Sequence, residues 1–177
     1  MFDLDRFIEE IRQTLHERSR QAMKQVVARA VSDPNGIVRR LGAPEQAGIQ
    51  VLHKSAEFTG MNIAWAPQQV TLAHNHRLAA IIGMYAGRED NVFWRKLPNP
   101  EKYQIEVAGG AALGVGDVAL LGRDIIHSVV NPLGRISAAI HVYDGDFFGA
   151  DRSMWDPENL SEAPYDACVA LKGMAIH

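Results

Sequence analysis

The sequence predicts a mainly β domain, a small sandwich or barrel preceded by helices, and three observations predict it. From residue 48 to about 143 the chain consists of short apolar runs punctuated by Gly, Pro, Asn and Asp, the texture of a sandwich or barrel. Ahead of them, from Phe2 to about Val31, apolar residues recur at helical spacing instead. The 177 residues are 47% hydrophobic and 22% charged, an ordinary composition for a folded chain long enough to bury a substantial core.

In chain order, Phe7, Ile8, Ile11 and Leu15, then Met23, Val26, Val27 and Ala30, mark one amphipathic helix or two, with Asp3 or Asp5 as N-cap. "SDPNG" (32–36) stops this pattern, and Asp33-Pro34 reads as the cap and first position of a short helix ending near Gly42. After "GAPEQAG" the predicted strands are "GIQVLHKS", "FTGMNIAW", "QVTLAHNH", "LAAIIGMYAG", "NVFWRK", "YQIEV", "AALGV", "DVALL", "DIIHSVV" and "RISAAIHVY". The tail reads as irregular, apart from a short helix around 164–173. The expected organisation is a single domain over 1–177, with a helical segment (1–45), a barrel core (48–145) and a C-terminal tail (146–177).

Charge and cysteine content narrow the function classes. The formal net charge is −3, and no Lys/Arg run exceeds a dipeptide, so no nucleic-acid partner is expected. One cysteine, Cys168, excludes an internal disulfide framework and fits a reducing compartment. "MFDLDRFIEE" lacks the apolar core of a signal peptide, and no apolar run is long enough for a membrane span. These features predict a cytoplasmic protein without a membrane partner. "GGAALGVG" lacks the helix start that a dinucleotide site needs.

Histidine placement carries the chemistry. In "TLAHNHRL", His74 and His76 lie two apart, so on a strand they share a face, about 6–7 Å apart along the backbone. That spacing suits two ligands of one ion bound through ring nitrogens. The bland alternative is one buried and one exposed imidazole. His127 follows the turns at Gly116-Asp117 and Gly122 to Asp124, and in a small barrel a third inward histidine can return to the same point.

These residues carry a resemblance over roughly 48–145. His74-x-His76 closed eleven residues later by Gly87, with a distant His127-x-x-x-Asn131, resembles the two motifs of the cupin superfamily. The resemblance implies a double-stranded β-helix, or jelly-roll barrel, with a metal near its centre. Ala80 stands where the usual glutamate ligand would be, and Gly122-Arg123-Asp124 replaces the usual Pro-x-Gly. The remaining set, His74, His76 and His127, resembles that of the cysteine dioxygenase-type thiol dioxygenases. So do His141-x-Tyr143 near the end of the barrel and the aromatic strand in "GREDNVFWRK".

That family resemblance implies a non-haem Fe(II) dioxygenase that oxidises a small thiol acid to a sulfinate with O2. Imidazoles also accept Zn, Ni, Cu or Mn. It implies that the Tyr143 hydroxyl reaches the substrate with His141 behind it, the alternative being a core histidine and a strand aromatic. Departures bear on the substrate. Ala139 replaces the serine that usually starts this relay, with Ser137 one step further along the same face. Neither Ala80 nor Ile81 offers a cysteine for a cross-link to tyrosine. His53 stands where cysteine dioxygenases place a carboxylate-binding arginine, so cysteine is disfavoured as substrate. Arg152, nine residues after Tyr143, matches the arginine of mercaptopropionate-type relatives, whereas Arg77 falls on the face away from the ligands.

Two other readings stay open: a three-His dioxygenase cleaving a carbon–carbon bond in a diketone-like substrate, and a non-catalytic, metal-containing cupin that binds a small acid. The expected partners are a small-molecule substrate and O2, in a monomer or small homo-oligomer. His16 and His177 are expected to face solvent. Trp65, Trp94 and Trp155 are expected to be packing residues, with Trp155 a candidate pocket lid. Asp117 and Asn131 are expected to satisfy turns and backbone.

Overall fold

A computed structural model describes residues 2–98, 104–170 and 175–176. Three helices open the chain: α1 (Leu4–His16), α2 (Arg20–Val31) and α3 (Pro34–Leu41). Asp3 caps α1 by accepting from Arg6 N at 2.8 Å, and Ser19 caps α2. Asp33 caps α3 by accepting from Gly36 N at 2.9 Å, with Pro34 just inside the helix. Each cap satisfies a backbone N–H that the first helical turn leaves without a partner.

The strands follow: β1 (Gly48–Lys54), β2 (Thr59–Trp65), β3 (His74–Asn75), β4 (Ala80–Ala86), β5 (Arg88–Lys96), β6 (Ile105–Gly114), β7 (Val118–Leu121), β8 (Ile126–Val130) and β9 (Ser137–Tyr143). The tail adds β10 (Ser153–Trp155), β11 (Glu162–Pro164), α4 (Ala167–Ala170) and β12 (Ala175–Ile176). They form two six-stranded sheets, ordered β12-β1-β2-β9-β4-β7 and β11-β10-β3-β8-β5-β6. All pairings are antiparallel except that of β12 with β1. The chain crosses repeatedly between the sheets, which is the jelly-roll, double-stranded β-helix arrangement.

Strand alternation divides the first sheet into two apolar faces. Ala138, Ile140 and Val142 of β9 and Ile81 and Tyr85 of β4 pack against Phe7, Ile11, Val27 and Val31 of the helices. Ala139 and Tyr143, with Ala80, Ile82 and Met84, point the other way into the barrel. Gly83 lets α2 come close: a Cβ there would lie 2.5 Å from Val27 Cγ1 and 2.8 Å from Val31 Cγ1. A third cluster, of Ala73, Ile105, Ile126 and Trp155, lies under the tail.

Four expectations need correction. "QVTLAHNH" is not a continuous strand, because only a bridge at Val70 and the two-residue β3 pair there. "YQIEV" and "AALGV" are not two strands, since β6 runs unbroken through Gly109-Gly110. The tail is more regular than expected, with β10 pairing on both β11 and β3. Trp155 is no lid: it is buried with Ile105 and Ile126. His16 is exposed on α1, as expected. The expectations for His177, the Cys168 side chain, Tyr103 and the end of the tail helix fall outside the described residues. No helix among the described residues is long and apolar enough to cross a membrane.

Candidate metal centre

Pairing register brings the histidines together. His74 on β3 lies opposite His127 on β8, and His127 in turn lies opposite Phe93 on β5. His76 follows β3 directly, before the chain turns at Arg77 with φ 56°. All three imidazoles are buried. Their Nε2 atoms converge, with His76 Nε2 3.2 Å from that of His74 and 3.1 Å from that of His127.

The partners of the other ring nitrogens decide what these contacts mean. His74 Nδ1 donates to Leu72 O at 2.8 Å, and His127 Nδ1 donates to Asn91 Oδ1 at 2.6 Å. A neutral imidazole with its proton on Nδ1 has only a lone pair on Nε2. Two lone pairs therefore face His76 Nε2, which has at most one proton to give. A positive centre between the nitrogens resolves that conflict. Nitrogens this far apart could share one ion at metal–nitrogen distances of about 2.1 Å.

Electrostatics point the same way. Burial, opposed by the Leu72 carbonyl, draws the His74 pKa down to about 4. Burial and the neighbouring imidazoles hold His76 and His127 well below 6.5. Neutral imidazole is the form that binds metal. Among the described residues these three form the group able to hold a metal ion, and no carboxylate belongs to it. Ala80, in the slot of the usual glutamate, is a buried residue opposite Tyr143.

Facing this donor set, β9 supplies His141 and Tyr143 from the other sheet. Tyr143 is fully buried and edges onto His76, with ring centroids 4.9 Å apart. Its hydroxyl lies 3.2 Å from His141 Nδ1. Burial and the nearby Glu89 carboxylate raise the Tyr143 pKa, so the hydroxyl keeps its proton as a donor. Ile49, Ile63, Trp65, Val129, Phe147 and Tyr165 complete the cavity wall around the four histidines and Tyr143.

Arg152, in the tail, packs on two rings of the cavity wall. Asn75, the residue between the paired histidines, accepts from Ser153 N at 2.9 Å and so fixes the tail beside the site. The Arg152 guanidinium lies between two cavity-wall rings, 4.0 Å from Phe147 and 3.9 Å from Tyr165. Its Nε and Nη1 are buried without a hydrogen-bond partner. His53, by contrast, is not brought to the site. The bulge between Val51 and His53 shifts β1, and the ring stacks on Phe58, 4.2 Å away, in the helix-side core. Arg77 is exposed and lies 4.0 Å from Glu162. Ser137 is committed elsewhere, donating to Asn131 Oδ1 and accepting from Arg88 N. Asn131 and Asp117 satisfy backbone groups, as expected.

The sequence reading missed Glu89 and Asn91. Both are buried on β5, beside the exposed Arg88. Glu89 accepts from Trp65 Nε1 at 2.8 Å and from Asn91 Nδ2 at 3.0 Å, and lies 3.6 Å from His141 Nε2. Burial alone would raise its pKa, but His141, Asn91 and Trp65 outweigh that and lower it. Period-two alternation was the available signal: counted from the turn at Gly87, Glu89, Asn91 and Phe93 share one face.

Barrel and donor set together define a double-stranded β-helix with a three-histidine group able to hold metal. No protein-family model matches the chain. Among solved structures, it is similar to an RmlC-like cupin family protein from Methanocaldococcus jannaschii, at 9% identity and TM-score 0.48 over 59% of this chain and 84% of that one. It is also similar to an uncharacterized double-stranded β-helix protein from Klebsiella pneumoniae, at 13% identity and TM-score 0.46 over 59% and 75%. A third is the DMSP lyase DddQ from Ruegeria pomeroyi, at 16% identity and TM-score 0.47 over 64% of this chain. The matched region spans 53% of that lyase's length.

Proposed function

We propose that this protein is a thiol dioxygenase of the three-histidine cupin type, acting on a small thiol acid other than cysteine. The observation that carries the reading is the pairing of a carboxylate-free, three-imidazole donor set with a buried tyrosine hydroxyl facing it. His74, His76 and His127 would hold Fe(II) on one face and leave the opposite face to the cavity. When bound, the iron would supply the redox chemistry by which both atoms of O2 join a thiolate sulfur, R–S⁻ + O2 giving R–SO2⁻.

The chain's own residues supply the rest. Neutral ligands leave the site's positive charge uncompensated, which favours an anionic substrate. The unpartnered Nε–H and Nη1–H of Arg152 are charged donors suited to an anion such as a carboxylate, and buried donors without a partner are costly until a ligand satisfies them. Tyr143 donates its hydroxyl proton in a hydrogen bond toward the reacting atoms and keeps that proton throughout. His141 orients the hydroxyl from behind. The apolar walls exclude water, which strengthens each of these polar contacts.

Anaerobic reconstitution with Fe(II), followed by oxygen uptake across a panel of thiol acids, tests the reading. Uptake with a sulfinate product and a preference for 3-mercapto acids over cysteine is expected. Uptake only with diketones, giving carbon–carbon cleavage, or none with any ligand, would refute it in favour of the other two readings.

A further inference from the structure

The donor set lacks a carboxylate, yet a buried one lies a residue away from it, and nothing assigned so far uses it. Glu89 has no exposed surface. A carboxylate so far from water is costly unless neighbouring donors satisfy it. Here those donors all belong to the site. Trp65, whose indole N–H it accepts at 2.8 Å, is a cavity wall. Asn91, whose amide N–H it accepts at 3.0 Å, in turn accepts from His127 Nδ1 at 2.6 Å through its own carbonyl. His141, 3.6 Å away, is the residue behind Tyr143.

We infer that Glu89 is a positioning residue for both halves of the site: through Asn91 it fixes and polarises the ligand His127, and through His141 it orients Tyr143. The Asn91 amide cannot flip without setting its carbonyl against the Glu89 carboxylate and its N–H₂ against the His127 proton. Glu89 therefore fixes which atom of Asn91 faces His127. That choice holds the His127 proton on Nδ1 and leaves the Nε2 lone pair for the metal. Negative charge passed along this chain makes the imidazole a stronger ligand, as carboxylate–histidine pairs do at metal sites. The second arm is electrostatic, since 3.6 Å is too long for a hydrogen bond. A fixed negative charge beside Nε2 holds the ring in place and with it Nδ1, 3.2 Å from the Tyr143 hydroxyl. Ala139 occupies the slot from which the resembling family holds this histidine with a serine, and Glu89 approaches the same ring from β5.

The His127 arm stands independently of the reaction, and the Tyr143 arm rests on the proposed thiol-dioxygenase reading. The test is Co(II) binding by the metal-free protein, followed by the visible spectrum and by competition with a chelator. Glu89→Gln is expected to bind Co(II) about 10- to 100-fold more weakly than wild type, with shifted absorption bands. Loaded with Fe(II), the same variant is expected to lose kcat for the mercapto acid with little change in KM. Where Glu89→Gln does not fold, Asn91→Ala cuts the same chain one step nearer His127 and is expected to weaken Co(II) binding by a similar factor. Wild-type affinity and spectrum in whichever variant folds, with only a lowered melting temperature, would overturn the inference and make Glu89 structural. A weakened, shifted Co(II) site in a protein whose wild type consumes no oxygen with any thiol would uphold the His127 arm and refute the proposed reaction.

Discussion

The two sheets of the barrel divide the work unequally. The sheet built on β2, β9 and β4 is covered by α1, α2 and α3, and its helix-side face is apolar around Phe58, Ile81, Ile140 and Val142. The sheet built on β3, β8 and β5 carries the three histidines able to hold a metal, and Glu89 and Asn91 beside them. From the helix-backed sheet come His141 and Tyr143, with Ile49, Ile63 and Trp65 as cavity walls. Strand alternation makes this possible, because β9 places Ile140 and Val142 in one core and His141 and Tyr143 in the other. The helix-side cluster can thus stabilise the fold away from the site, while the histidine-bearing sheet carries buried polar groups that stabilise the fold only when satisfied.

Acid should expose that cost most strongly. Unfolded histidines take up protons as pH falls through about 6.5, but in the folded metal-free protein His74 resists until about 4 and His76 and His127 are also held low. Between those limits the unfolded chain binds more protons, so stability falls as pH falls, by roughly 1 kcal/mol per pH unit for each such histidine. Thermal melts of the metal-free protein from pH 7 to 4.5 are expected to show a steep loss that bound metal offsets. A flat profile would mean that the imidazoles are not buried neutral.

Truncating the other region should do the reverse. Ile11, fully buried on α1 against the helix-backed sheet, is expected to cost about 2–5 kcal/mol as Ile11→Ala, read by denaturant unfolding, with metal affinity unchanged. Tyr143→Phe tests whether β9 contributes chemistry or packing. It is expected to keep metal and fold and lose at least about tenfold in turnover, or about 1.4 kcal/mol of transition-state stabilisation. Unchanged turnover with a lowered melting temperature would make the tyrosine structural. The smallest expected effect is that of Asp33→Ala, which removes the α3 cap at about 1 kcal/mol and should leave the site untouched in a Co(II) titration.

The sequence made the helix-backed half legible because its signals are local. Helical spacing, Asp33-Pro34 and Gly42 place α3 without tertiary information, and the pairing of His74 with His76 survives even though β3 is only two residues long. Glu89 was hidden because it sits between Arg88 and Asp90, which pair with each other at the surface, so the segment reads as a solvated charge run. Gly109-Gly110 read as a turn because glycine usually punctuates strands. In β6 the strand passes through them opposite Phe93 and Val92, beside the register shift at Phe93/Trp94. His53 was placed by resemblance to a family position, and a one-residue bulge in β1, which no local pattern announces, turns it toward the helices.

The central claim is that one sheet holds a metal ion through three imidazoles and nothing else from the protein. Elemental analysis of dialysed wild type beside His74→Ala, His76→Ala and His127→Ala tests it most directly. The proposed centre requires about one ion per chain in wild type and a large loss in each variant. Full metal content in all three single variants would contradict it.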